Sequence, residues 1–228
     1  MLQPHSYPRL LGQALVLEPD PCVVLADDDN PWLEGLFLIT LLGSGVGFSR
    51  LIGGALTGAS LPSSEALFQA TVQVLRQAQA APALEAALGR IWPGIALFLG
   101  HGGWLRLYLV VATPLAMILF WLAYGLLAHG SARLLGGQGQ WNATLGVLAL
   151  SFAPWVFGLL QVLPFVRVPS LLLGVWGLLI AYRGLEVAHE LPPDRAALAA
   201  LLPMCVLLLL ALMGLMGVLL WAAGGGLG

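Results

Sequence analysis

Glu186, His189 and Glu190 stand at i, i+3 and i+4, the spacing that puts all three on one face of a helix. A Glu-x-x-His pair joined by Glu190 and by a second histidine such as His129 could bind a divalent metal. A di-metal centre needs such ligands from several helices. The other reading of the same residues is an ion-paired, hydrogen-bonded helix end, with Glu186 held by Arg133 or Arg183. No metal and no cofactor is expected. The interaction surface to look for is His129, Arg133, Gly136, Gly137, Arg183, Glu186, His189 and Glu190.

Other chemistry is poorly represented. Leu42-Gly43-Ser44-Gly45 lacks the first glycine of a GxSG nucleophile motif, and no His and Ser pair on adjacent apolar segments stands out. There is no HExxH, phosphate-binding glycine loop or dinucleotide fingerprint. His101, set among Gly100, Gly102 and Gly103, fits a loop turn, and Asn142-Ala143-Thr144 fits a helix start better than a glycosylated loop. Cys22 and Cys205 form no CxxC and no redox pair. Net charge of −2 offers nucleic acid nothing, and no basic cluster marks an anionic-lipid patch. All nine basic residues are arginine, which fits codon bias in a GC-rich genome. No enzyme is expected.

The elements that must position these residues are apolar and long. The 228 residues are 59% hydrophobic and 9% charged, with mean hydropathy +0.92, against roughly 25% charged residues in soluble domains. A helix needs about 20 apolar residues to cross a bilayer. Four such runs follow residue 105, with charges almost confined to the joints between them. The expected fold is all-α, a polytopic transmembrane bundle of five spans at about 34–56, 105–127, 143–163, 168–185 and 197–221. Pro114, Pro154 and Pro203 predict kinks. His129 and Arg133, at the end of the second span, then emerge on the same side as the Glu186–Glu190 joint. The first span is interrupted by Gly43, Gly45, Gly47, Gly53 and Gly54, and its Arg50 either snorkels to the interface or pairs within the bundle. No ionisable residue lies near the middle of the last four spans, which argues against transport through buried charge.

Residues 1–33 form a polar tail. Leu10–Leu17 is too short and broken for a secretory signal. The tail ends in Asp27, Asp28 and Asp29, with Asp29 or Asn30 as N-cap and Pro31 as first helical residue. Residues 57–104 form an interfacial connection. Phe68, Val72 and Leu75 recur at helical spacing opposite Gln69, Gln73 and Arg76, predicting an amphipathic helix over Ser64–Ala80. Pro82 ends it, Ala83–Leu88 makes a second short turn closed by Gly89, and Ile91–Leu99 is an interfacial piece. Arginines divide evenly between the two sides, so the positive-inside rule is silent.

The stretch Leu126-Leu127-Ala128-His129-Gly130-Ser131-Ala132-Arg133-Leu134-Leu135-Gly136-Gly137-Gln138-Gly139-Gln140-Trp141-Asn142-Ala143-Thr144-Leu145 resembles the joint between the second and third spans of Yip-domain proteins, membrane proteins named for interacting with Ypt/Rab GTPases. The likeness lies in the polar helix end, the Gly-Gly turn, the threonine opening the next span, and Ala149 and Ser151–Pro154 within it. His189-Glu190-Leu191-Pro192-Pro193-Asp194-Arg195-Ala196 is similar to the family's fourth joint, and Leu17-Glu18-Pro19-Asp20-Pro21 to its opening. The tail lacks the long cytosolic region of eukaryotic members, so the resemblance implies a prokaryotic relative. It further implies five spans, a cytoplasmic amino terminus in a bacterial inner membrane, no catalysis, and a scaffold role with the bilayer and other membrane proteins as partners. A small permease or lipid-handling protein and an accessory subunit of a larger complex are the competing expectations.

Overall fold

The computed structural model describes residues 6–79, 81–96 and 107–224, with side chains to residue 217. Among them the secondary structure is helical throughout, with no strand. The helices are α1 (Tyr7–Leu15), α2 (Asp20–Ala26), α3 (Pro31–Ser60), α4 (Ser64–Gln77), α5 (Pro82–Ala96), α6 (Tyr108–Leu134), α7 (Trp141–Ala149), α8 (Ser170–His189) and α9 (Pro193–Gly224). A 3-10 segment, Leu150–Val162, continues α7. Five helices are long and apolar enough to cross a membrane: α3, α6, α7 with its 3-10 continuation, α8 and α9. The protein is an all-α, five-span membrane protein. Expected loop residue His101 and the expected second-span start at Leu105 lie outside the described residues.

The spans depart from the sequence expectation in two ways. First, α6 runs to Leu134 and α8 to His189, well past the expected ends at 127 and 185. The candidate polar residues are therefore on helix ends, because the helices are closed by their caps and not by the limit of apolar sequence. Second, the third span is not α-helical around Pro154. It changes helix type four residues earlier and stays 3-10 for 13 residues, where such runs rarely exceed 3–4. Proline lacks the N–H an α-helix would use there. α6 and α9 continue through Pro114 and Pro203.

The chain divides into two compact units. The first comprises residues 1–41, 116–154 and 170–228. Here the amino-terminal stretch, expected as a polar tail, carries α1 and α2, whose Tyr7, Leu10, Ala14, Cys22 and Leu25 are buried. These side chains recur at helical spacing, so two short amphipathic helices form and dock. The Tyr7 hydroxyl donates to the Glu34 carboxylate, only 2% exposed in the first turn of α3. Burial, and then that bond, raise the Tyr7 pKa above the ordinary phenol value. The Trp176 indole donates to the Leu15 carbonyl at 2.9 Å, holding the end of α1 to α8. Helix α7 is the hub, with Thr144 through Ala149 all buried. Small residues allow this packing: a Cβ at Gly35 would lie 2.9 Å from that of Ala149, and one at Gly184 3.2 Å from that of Val147. Tyr124 donates to the Ala200 carbonyl at 2.9 Å and Trp121 to the Leu145 carbonyl at 3.0 Å. Exposed Leu201, Leu202, Leu208, Leu209 and Leu212 on α9 suit a lipid environment.

The second unit comprises residues 42–115 and 155–169. It contains the expected amphipathic hairpin. Ser63 caps α4, accepting from the Ala66 amide at 3.2 Å, and Val72 is buried while Gln69, Gln73 and Arg76 are exposed. The second arm is longer than expected. Pro82 opens α5, which passes through Gly89 to Ala96. A proline at the first helical position sacrifices no hydrogen bond. The arms meet through Phe68 and Trp92, ring centroids 5.2 Å apart, and the Trp92 indole donates to Ser64 at 3.1 Å. Exposed Arg76 grips Glu85 through two nitrogens, at 2.6 and 3.2 Å. That hydrogen bond holds the Glu85 carboxyl below the usual carboxylate range.

Candidate functional site

Helix α6 ends in a Schellman motif. The Gly137 amide donates to the Ala132 carbonyl at 2.8 Å and the Gly136 amide to the Arg133 carbonyl at 3.2 Å. This closure requires a left-handed residue after the helix, and Gly136 supplies it at φ +95°. Helix α8 ends similarly, with the Leu191 amide on the Glu186 carbonyl at 3.2 Å and Glu190 at φ +52°. Pro193 then opens α9. The two joints are tied to each other. The Gln138 amide donates to the His189 carbonyl at 3.3 Å, and Arg195 Nη1 donates to the Leu135 carbonyl at 3.1 Å.

Between these joints lies a buried polar chain. Thr144 Oγ1 sits 2.9 Å from His129 Nδ1 and 2.9 Å from His189 Nε2, and it donates its one proton to the Gln140 carbonyl at 2.9 Å. Thr144 is 0% exposed and His189 1%, whereas His129 is half-buried. Since the hydroxyl proton is spent on Gln140, both imidazoles must donate: His129 through Nδ1–H and His189 through Nε2–H. Neutral His189 then keeps a lone pair on Nδ1, which is buried without a hydrogen-bond partner. Gly137 and Gly139 press on this ring, and a Cβ on either would come within 2.9 Å of Nδ1. The His129 ring stacks edge-on to Trp141, centroids 5.4 Å apart, and lies 5.3 Å from the His189 ring.

The candidate residues therefore fall into three groups. His129 and His189 converge on Thr144, while Gly137 abuts the His189 ring and Gly136 closes α6. Arg183 and Glu186 form an ion pair one turn apart on α8, so the carboxylate bonds within its own helix and not to Arg133. Arg133 and Glu190 are exposed. The Glu186–His189–Glu190 set does not assemble around one point, and among the described residues no three His, Cys, Asp or Glu side chains converge as metal ligands. Chemically, the arrangement holds helix ends in register and offers one confined lone pair. Its central residue, Thr144, had a weak signal in sequence: a hydroxyl four residues after Gln140 at the start of an apolar helix, the spacing for a bond to the preceding turn. Gly139 had none beyond the glycine-rich turn.

The family model of the Yip1 domain matches residues 14–216, which takes in α3 to α8 whole and most of α9. No curated protein and no solved structure matches the chain.

Proposed function

This chain belongs to the Yip1 domain family, and from that premise we propose that it is a non-enzymatic membrane scaffold that recruits other membrane proteins through the α6–α7 and α8–α9 joints. The observation carrying this reading is how the joint spends its polar groups. Thr144, His129, His189 and the two helix caps bond to one another, which builds a rigid platform and leaves no acid–base pair aimed at a substrate. The rim presents Arg133, Glu190, Asp194 and Arg195 to the surroundings. Next to Arg133, Leu134 is 90% exposed, a large apolar side chain at a charged helix end. Such a side chain on a fixed backbone suits an interface anchor. We further propose that the amino terminus faces the cytoplasm of a bacterial cell, the orientation expected from the family resemblance.

A photo-crosslinking residue at position 134, activated in intact cells, tests the proposal. The expected result is a small set of discrete adducts with membrane proteins, weakened by Arg133→Glu. Adducts with lipid alone would overturn it, and solute flux through proteoliposomes of the purified chain would favour a permease instead.

A further inference from the structure

Arg50 lies inside the first span, within the second unit, in a setting that ion pairing does not explain. Its Nε donates to Gln161 Oε1 at 3.3 Å, and its guanidinium carbon is 5.8 Å from the centroid of the Trp155 ring. The side chain is half-buried, and among the described residues no carboxylate pairs with it. A guanidinium carries five N–H donors in a planar fork. Among the described residues only the one on Nε is used, and the four on the two terminal nitrogens have no partner there.

The surroundings fix both the depth and the direction of this fork. Gly53, one turn further along α3, has no room for a Cβ, which would run into the Gln161 carbonyl, and a Cβ at Gly158 would be 3.0 Å from Val46. Gln161 is the last residue but one of its span. The Phe165 amide, just beyond, donates to Thr57 Oγ1 at 3.1 Å. The guanidinium is thus pinned where the third span gives way to its loop, and the end of a span is where hydrocarbon gives way to headgroups. One face is covered by tryptophan and one edge is fixed by an amide. A cation merely snorkelling would need neither support.

The charge of the unit points the same way. Its described ionisable side chains include Arg50, Arg76, Arg90 and Arg167 against Glu65 and Glu85, and Glu85 is occupied by Arg76. The other unit has Arg9, Arg133, Arg183 and Arg195 against nine carboxylates. We infer that Arg50, positioned by Gln161 and Trp155, is a binding site for a phosphate oxyanion, supplied by the headgroup of an anionic bilayer lipid. The two terminal nitrogens match two phosphate oxygens in a bidentate pair, and the location at the span's end favours a lipid over a soluble ion.

The test compares the thermal stability of the full-length protein in detergent with added phosphatidylglycerol, phosphatidylcholine or inorganic phosphate, alongside lipid retained on purification. The wild type should be stabilised by phosphatidylglycerol well beyond phosphatidylcholine and should retain it selectively. Arg50→Gln should bind it about tenfold more weakly, the worth of a charge-assisted hydrogen bond, and Gln161→Leu should weaken it while keeping the charge. If Arg50→Gln does not fold, Arg50→Lys keeps the charge without the fork and should lose most of the selectivity. Equal effects of the two lipids on the wild type, or undiminished selectivity in both Arg50 variants, would overturn the site. Inorganic phosphate matching phosphatidylglycerol would overturn the lipid as its source.

Discussion

Thr144 shows how much can rest on one hydroxyl group. Replacing it by valine preserves shape and removes the acceptor shared by His129 and His189. Loss of the His189 bond alone should cost about 1–3 kcal/mol, since that ring is buried and water cannot take over. Thr144→Ser should recover most of the loss, as chemical denaturation in detergent would show; a stable Thr144→Val protein would mean the bridge is incidental. The two histidines were legible as polar residues at helix ends. Their connection was not, because it runs through a residue type that apolar helices tolerate without comment. Cys22 has a different dependence. Burial pushes its thiol up to about 12, with Arg183 opposing, against about 8.5 for a free thiol. A group whose folded pKa is raised contributes stability that is whole below the unfolded value and lost as pH rises through the folded one. The protein should therefore resist alkylation at Cys22 at pH 8. It should also weaken between about pH 8.5 and 12 relative to Cys22→Ala, as stability curves of the two would show.

At the scale of elements, the apolar runs and the hairpin were readable because burial in lipid demands continuous hydrophobic length and an amphipathic face demands periodicity. The helix ends were less readable. α6 and α8 outlast their apolar stretches because Schellman closure, set by Gly136 and Glu190, decides where they stop. The docking of α1 and α2 was hidden by Pro8, Arg9 and Asp20, which are exposed, and by Pro21, which is buried in the contact. The turn between α6 and α7 offers a clean comparison of glycines. Gly139→Ala should destabilise by more than about 1–3 kcal/mol, the usual cost of overpacking, because the new carbon meets the Ala188 backbone carbonyl as well as the His189 ring. Gly130→Ala, in the same helix-turn region but with open space around it, should be neutral or stabilise by up to about 1 kcal/mol through helix propensity. Thermal unfolding of the two variants beside the wild type measures both. Similar losses would remove the steric argument.

At the scale of the whole molecule, five crossings put the two ends of the chain on opposite faces of the membrane. Single cysteines placed at Gln3 and at Gly228, in a background lacking Cys22 and Cys205, should react with an impermeant maleimide from opposite sides of sealed vesicles. Labelling of both from one side would require an even number of crossings. The third of those crossings also sets a length. A 3-10 helix rises about 2.0 Å per residue where an α-helix rises about 1.5 Å. Its 22 residues therefore reach about 40 Å, against about 33 Å had all of them been α-helical. This stretched crossing works as a ruler. It carries the crossing beyond the roughly 30 Å of hydrocarbon that an α-helix of this length would already cover, and it makes the preferred bilayer thickness of the protein a property of helix type as much as of residue number.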